Sequence, residues 1–179
     1  MKKIILYFQR TKQVTSLKRE VILKFPNRIY TIEEFMRARK SIEEGHIHDL
    51  RVIGQSTFKN KVEKVLSLIK KAEYYGFLQT YIRKICEIEG ISQLRETEAT
   101  IWLNKYVINN PIESARFIIQ KTYQMKAYLD GEKYYLKGEL PAINASITFL
   151  QKLEEKLINE NMKIKCKESI KQWTEDTIL

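Results

Sequence analysis

The run Asn109-Asn110-Pro111-Ile112-Glu113 constrains this chain more tightly than any other stretch. Asn110 can cap a helix by accepting a backbone amide, Pro111 fits the first helical position where no amide is needed, and Glu113 complements the helix dipole. A helix should therefore start at Pro111, run to about Asp130 and close at Gly131, since glycine takes the left-handed conformation cheaply. Ahead of it, residues 98–106 alternate as a strand does, with Ile101 and Leu103 on one face and Trp102 on the other. A strand feeding a long helix sets the theme of an α+β protein.

Other segments extend that theme. Ile4-Ile5-Leu6-Tyr7-Phe8 and Val21-Ile22-Leu23-Lys24-Phe25 have the β-branched and aromatic character of short strands whose pairing would make a ribbon. Thr31-Ile32-Glu33-Glu34 is a capping box, so a short helix should run to about Glu44 and stop at Gly45, displaying Phe35, Met36 and Ile42. The stretch from His48 to Gly54 reads as a strand with a turn. Ser56 or Thr57 then caps a helix with Phe58, Val62, Val65, Leu66 and Ile69 on one stripe. The same periodicity predicts a second helix over 72–88 through Tyr74, Leu78, Tyr81, Ile82 and Ile85, ended by Gly90. A helix from Pro141 to about Asn159 and a short amphipathic piece over 168–173 complete the chain. The predicted architecture is α+β, mainly helical, with five or six helices and a small, mostly antiparallel sheet in the N-terminal half.

At 179 residues and 44% hydrophobic content the chain can bury one substantial core, so a single domain is expected. Within it we distinguish a basic ribbon and short helix over 1–49, a core over 50–160 and a helical tail over 161–179. The opening apolar run stops at Gln9-Arg10, short of the roughly 7 residues of a signal-peptide core, and no stretch reaches the roughly 20 needed to span a bilayer. The expectation is a cytoplasmic protein without a membrane partner.

The formal charge of +10 is concentrated at one end. Residues 1–30 hold eight basic side chains (Lys2, Lys3, Arg10, Lys12, Lys18, Arg19, Lys24 and Arg28) against the single acid Glu20. Such asymmetry marks either a surface that meets phosphates or a lysine-protected ribbon edge.

Motifs for chemistry are few. Cys86 and Cys166 stand far apart, which excludes a zinc ribbon or a CxxC redox centre and suits buried thiols, with Cys86 on the apolar face of the predicted second helix. No GxGxxG, Walker A, HExxH or GxSxG pattern occurs. His46 and His48 are the only histidines; on a strand they would share a face and could offer two-point metal binding with Glu44 or Asp49, or simply form an exposed strand entrance.

Arg51-Val52-Ile53-Gly54, the helix Lys61-Val62-Glu63-Lys64-Val65-Leu66-Ser67-Leu68-Ile69, the run Gln120-Lys121-Thr122-Tyr123-Gln124-Met125-Lys126-Ala127-Tyr128 and Gly138-Glu139 follow one another in a suggestive order. Over about 50–156 the chain resembles a family of small bacterial zinc-peptidase-like (zincin-like) proteins, whose metal-binding helix carries H-D-x-Y-H-S-K-L-Y. Tyr123, Lys126 and Tyr128 match that motif; Gln120 and Gln124 stand where it has histidines, and Lys121 replaces its acid.

Amide oxygens hold zinc poorly, and a lysine ammonium cannot take a proton from metal-bound water. The resemblance thus implies a pseudoenzyme with no metal, no cofactor and no catalytic residue. Its vestigial cleft, comprising Gln120, Tyr123, Gln124, Tyr128, Glu139 and Trp102, would bind a protein or peptide; Glu139 marks the region of the third ligand, although Pro141 breaks the acidic pattern expected beside it. The alternative is a nucleic-acid-associated protein in which Lys2, Lys3, Arg10, Lys12, Lys18 and Arg19 track phosphates, with Tyr7 and Phe8 available for stacking. A third reading is an enzyme whose site carries no recognisable motif, for which metal at His46 and His48 would be the clue. The sequence sets no oligomeric state.

Overall fold

The computed structural model of the protein describes residues 24–132 and 139–175. The strand expected over 4–8, most of that over 21–25, and Lys2, Lys3, Arg10, Lys12, Lys18 and Arg19 lie outside these residues.

Six helices and a four-stranded mixed sheet make up the described chain, an α+β architecture that is mainly helical, as its periodicity predicts. Helix α1 (Ile32–Glu43) starts on the expected box: Thr31 Oγ1 accepts the Glu34 amide at 3.2 Å and the Glu34 carboxylate accepts the Thr31 amide at 3.0 Å. Strand β1 (Arg51–Ile53) then turns at Gly54 into helix α2 (Ser56–Lys71). A Cβ on Gly54 would lie 2.7 Å from Glu87 Cβ and 2.8 Å from Phe58 Cδ1, so only glycine lets this turn close. Ser56 is the first helical residue rather than the cap; Gln55 takes that place, and its amide donates to the Glu87 carboxylate at 2.7 Å.

The predicted second helix over 72–88 is corrected. Ala72 ends α2, Glu73 adopts a left-handed φ of 66°, and only a short helix α3 (Tyr75–Tyr81) precedes strand β2 (Lys84–Ile88). Spacing of Leu78, Ile82 and Ile85 suits a helix, but β2 lies between two partner strands whose backbone groups it satisfies, and that pairing overrides local periodicity. Cys86 accordingly sits in a strand.

Strand β3 (Gln93–Arg95) and strand β4 (Thr100–Asn104) complete the sheet in the order β1-β2-β4-β3. The sheet is not mostly antiparallel: β1–β2 and β2–β4 are parallel, and only β3–β4 is antiparallel. Parallel pairing requires crossovers, and α2 with α3 supplies the one between β1 and β2.

Helix α4 (Pro111–Asp130) follows the sequence reading closely, with Asn110 Oδ1 accepting the Glu113 amide at 3.3 Å and Gly131 left-handed at φ 78°. Its Ile112, Ala115, Ile118, Ile119, Met125 and Leu129 are buried. Burial of each large apolar side chain contributes about 1.5–3 kcal/mol, which makes α4 the spine of the core. It packs on α2 and on helix α5 (Glu139–Lys156), which in turn packs on helix α6 (Glu160–Glu175). The short C-terminal piece expected over 168–173 is thus a 16-residue helix that buries Cys166 and Ser169. None of the described helices is long and apolar enough to cross a membrane.

Candidate functional site

The sheet has two unlike faces. Val52, Ile85, Ile101 and Leu94 stand in register across the four strands, and all but the half-buried Val52 are buried in the core. Period-two alternation sends their neighbours the other way. On that outer face Arg51, Lys84, Thr100 and Arg95 form one row across the sheet, and Ile53, Cys86, Trp102 and Gln93 form the next. Arg51, Ile53, Gln93 and Arg95 are exposed, Lys84, Cys86 and Trp102 are half-buried, and Thr100, between Lys84 and Arg95, is fully buried. The Arg95 guanidinium lies 4.2 Å from the centroid of the Trp102 ring. Burial pushes the Cys86 thiol above its ordinary range; Lys84 and Arg51 pull the other way and Glu98 adds to the rise, which places one carboxylate beside the cations.

Trp102 therefore lies on the face turned away from the core. The other residues of the expected cleft are placed differently. Gln120 and Gln124 lie one turn apart on the buried side of α4, and each amide oxygen already accepts from a cation of its own helix: Arg116 Nη1 to Gln120 Oε1 at 2.9 Å, Lys121 Nζ to Gln124 Oε1 at 2.9 Å. Burial lowers the basicity of Lys121, and Glu139 at the start of α5 counteracts it, so Glu139 does approach this corner. Tyr123 packs on Phe77 with centroids 4.5 Å apart, and Tyr128 sits edge-on to Phe35 at 5.7 Å. The structure thus gathers Gln120, Gln124 and Glu139 around Lys121 and leaves Tyr123, Tyr128 and Trp102 in other settings. A guanidinium and an ammonium thus already donate to the two amide oxygens, so neither oxygen is free to turn toward a metal without breaking a charge-assisted bond.

Arg116 extends that network. Its Nε donates to Glu113 at 2.9 Å, its guanidinium lies 3.6 Å from the Trp173 ring centroid, and Trp173 Nε1 donates to Glu113 at 3.2 Å. Ser169 Oγ also donates to Glu113. Burial raises the Glu113 carboxyl, and these three donors together outweigh it and hold the group below its ordinary range. The network fastens α6 to the first turns of α4.

His46 and His48 precede β1 and are not an exposed strand entrance. His48 is only 5% exposed, its amide donates to the Gln79 carbonyl at 2.9 Å, and the rings meet with His46 Nε2 at 3.1 Å from His48 Nδ1. Phe25 stacks on His46 at 5.5 Å and meets His48 edge-on at 4.4 Å. Burial, then the charges of His46 and Arg83, depresses the His48 pKa to about 3. The rings line a hollow of about 410 Å³ together with Lys24, Phe25, Asn27, Arg51 and Arg83. The Arg83 guanidinium donates to the Asn27 carbonyl at 2.8 Å and to the Pro26 carbonyl, which pins the chain across the hollow's edge. Among the described residues no group of three His, Cys, Asp or Glu side chains could hold a metal.

Arg51, Lys84, Arg83 and Arg95 were not singled out from sequence, because only strand register shows that three of them share a row. No family model, curated protein or solved structure matches this chain.

Proposed function

We propose that this chain is a non-catalytic nucleic-acid-binding protein that holds an unpaired strand across the outer face of its sheet. The row Arg51, Lys84 and Arg95, set beside Trp102 by strand register, carries this reading. Three cations on one line meet a chain of phosphates by displacing its counterions, and an indole at mid-sheet offers a base a stacking partner worth about 1–3 kcal/mol. The overall charge of +10 favours the same class of partner. The resemblance to zinc-peptidase-like proteins supports only the absence of catalysis, through Gln120 and Gln124. A peptide groove lined by Tyr123 and Trp102 has less support, because Tyr123 packs on Phe77 while Trp102 lies on the outer face.

The test is fluorescence anisotropy of a labelled single-stranded oligonucleotide of about 15 nucleotides, within the range of site sizes for such surfaces. Three phosphate contacts predict a log–log salt slope of about −2, and the double variant K84Q/R95Q should reduce its magnitude by about 1.4. An unchanged slope in the double variant, or no binding at low salt, would end this reading.

A further inference from the structure

The hollow around the histidine pair has a composition that points to its own ligand. Lys24 enters from the segment before α1, Arg51 from β1 and Arg83 from just before β2, and among the described residues no carboxylate lines it. Two imidazole nitrogens 3.1 Å apart have the separation of a metal chelate, yet a dication placed there would face three cations with no anionic ligand among the described residues to offset them. An anion reverses every one of those signs.

His48 adds a second observation. Its Nδ1 is engaged with His46, and its Nε2 is the one buried side-chain nitrogen or oxygen among the described residues without a hydrogen-bond partner. A buried polar nitrogen left unpaired costs about 1–3 kcal/mol and is the kind of group a ligand satisfies. When His46 Nε2–H donates to His48 Nδ1, the proton of His48 rests on Nε2 as a donor, which is the tautomer an anion selects. Arg83 spends two of its donor directions on backbone carbonyls, which fixes its guanidinium at the hollow while leaving further N–H groups.

We propose that this hollow is a phosphate site, in which Lys24, Arg51 and Arg83 balance the charge of one phosphoryl group and His48, oriented by His46, donates to it from Nε2–H. Arg51 belongs both to the hollow and to the basic row of the sheet, so the phosphoryl group can belong to the strand held on that face, as a terminal phosphate or as an internal phosphodiester. In this respect the site deepens the nucleic-acid reading, but its chemistry stands on the hollow alone. The depressed basicity of both rings, caused first by burial, agrees: His48 is further lowered by His46 and Arg83, and His46 by Arg83, charges that a bound anion would offset.

The chain has two histidines, so nitrogen correlation spectra of the imidazole rings report this site without overlap. Inorganic phosphate at pH 7 should shift both rings saturably, whereas chloride at equal ionic strength should not. K24Q and R51Q, which alter exposed side chains, should each weaken the response by about tenfold, the usual worth of one charge-assisted contact. A 5′-phosphorylated oligonucleotide that shifts the rings more than its unphosphorylated twin assigns the site to a strand end; equal shifts assign it to a phosphodiester. The proposal is overturned if phosphate and both oligonucleotides leave the rings unmoved, if K24Q and R51Q respond like the parent, or if zinc shifts the rings and phosphate does not. Retained phosphate response in a variant such as W102A that no longer holds the oligonucleotide keeps this site and the sheet-face reading separable.

Discussion

Acid should destabilise this protein through His48, by an amount that can be worked out. The ring is 5% exposed and its folded pKa is about 3 against an ordinary 6.5. A base whose folded pKa is depressed stays neutral in the native state while the unfolded chain takes up a proton, so the stability it contributes is complete above about pH 6.5 and drains away as pH falls toward 3. At pH 5 the unfolded imidazole is roughly 30-fold more protonated than neutral, which converts to about 2 kcal/mol lost relative to pH 7, and about 3 kcal/mol at pH 4. The perturbation is His48→Asn, which keeps a polar group near Nδ1 but cannot titrate. Urea unfolding of both proteins at pH 7 and pH 5, in buffers without phosphate, separates this group from the carboxylates, because only the difference in pH response between parent and variant matters. The parent should lose about 2 kcal/mol more than the variant over that interval. Equal losses, or a ring nitrogen in the parent that titrates near 6.5, would refute the assignment of a buried neutral imidazole.

Other consequences follow from the same contacts. E113A strips Arg116, only 4% exposed, of its carboxylate and should cost about 3 kcal/mol in urea unfolding, with α6 losing amide-exchange protection first; an effect below 1 kcal/mol would show that the network is dispensable. G54A should cost about 2 kcal/mol or more because the new Cβ meets Glu87 Cβ and Phe58, and unchanged thermal stability would contradict the tight turn between β1 and α2. The double variant Q120H/Q124H should gain no zinc affinity by calorimetry, since Arg116 and Lys121 occupy the donor side of that corner; tight binding would restore the vestigial-cleft reading.

Much of the fold is legible in the chain wherever a local signal is complete. The Thr31 box and the Asn110-Pro111 start both form as written, because caps satisfy amides within three residues and need no distant partner. The α2 stripe likewise turns inward, as a 3.6-residue period dictates. Segment 84–88 is different: its isoleucines fit a helix, and only the presence of β1 and β4 on either side makes it a strand. That one reassignment also changes the sheet from mostly antiparallel to mixed. The short α6 prediction fails for a related reason, since much of that lysine-rich helix stays exposed and only Cys166 and Ser169 are fully covered. For the site, Trp102 is correctly placed opposite Ile101 and Leu103, whereas the basic row depends on register between strands up to 44 residues apart in the chain and has no sequence signature. The histidine hollow was visible only as two residues with a shared face; its cations come from three separate segments.

Trp102 provides the most direct measurement. Titrating the protein with an unlabelled single-stranded oligonucleotide while following tryptophan emission should quench the signal as a base stacks on the outer face, and the quench should vanish in W102F, which leaves Trp173 as the remaining indole. Quenching that persists undiminished in W102F, or oligonucleotide binding with no change in Trp102 emission, would contradict the sheet-face account.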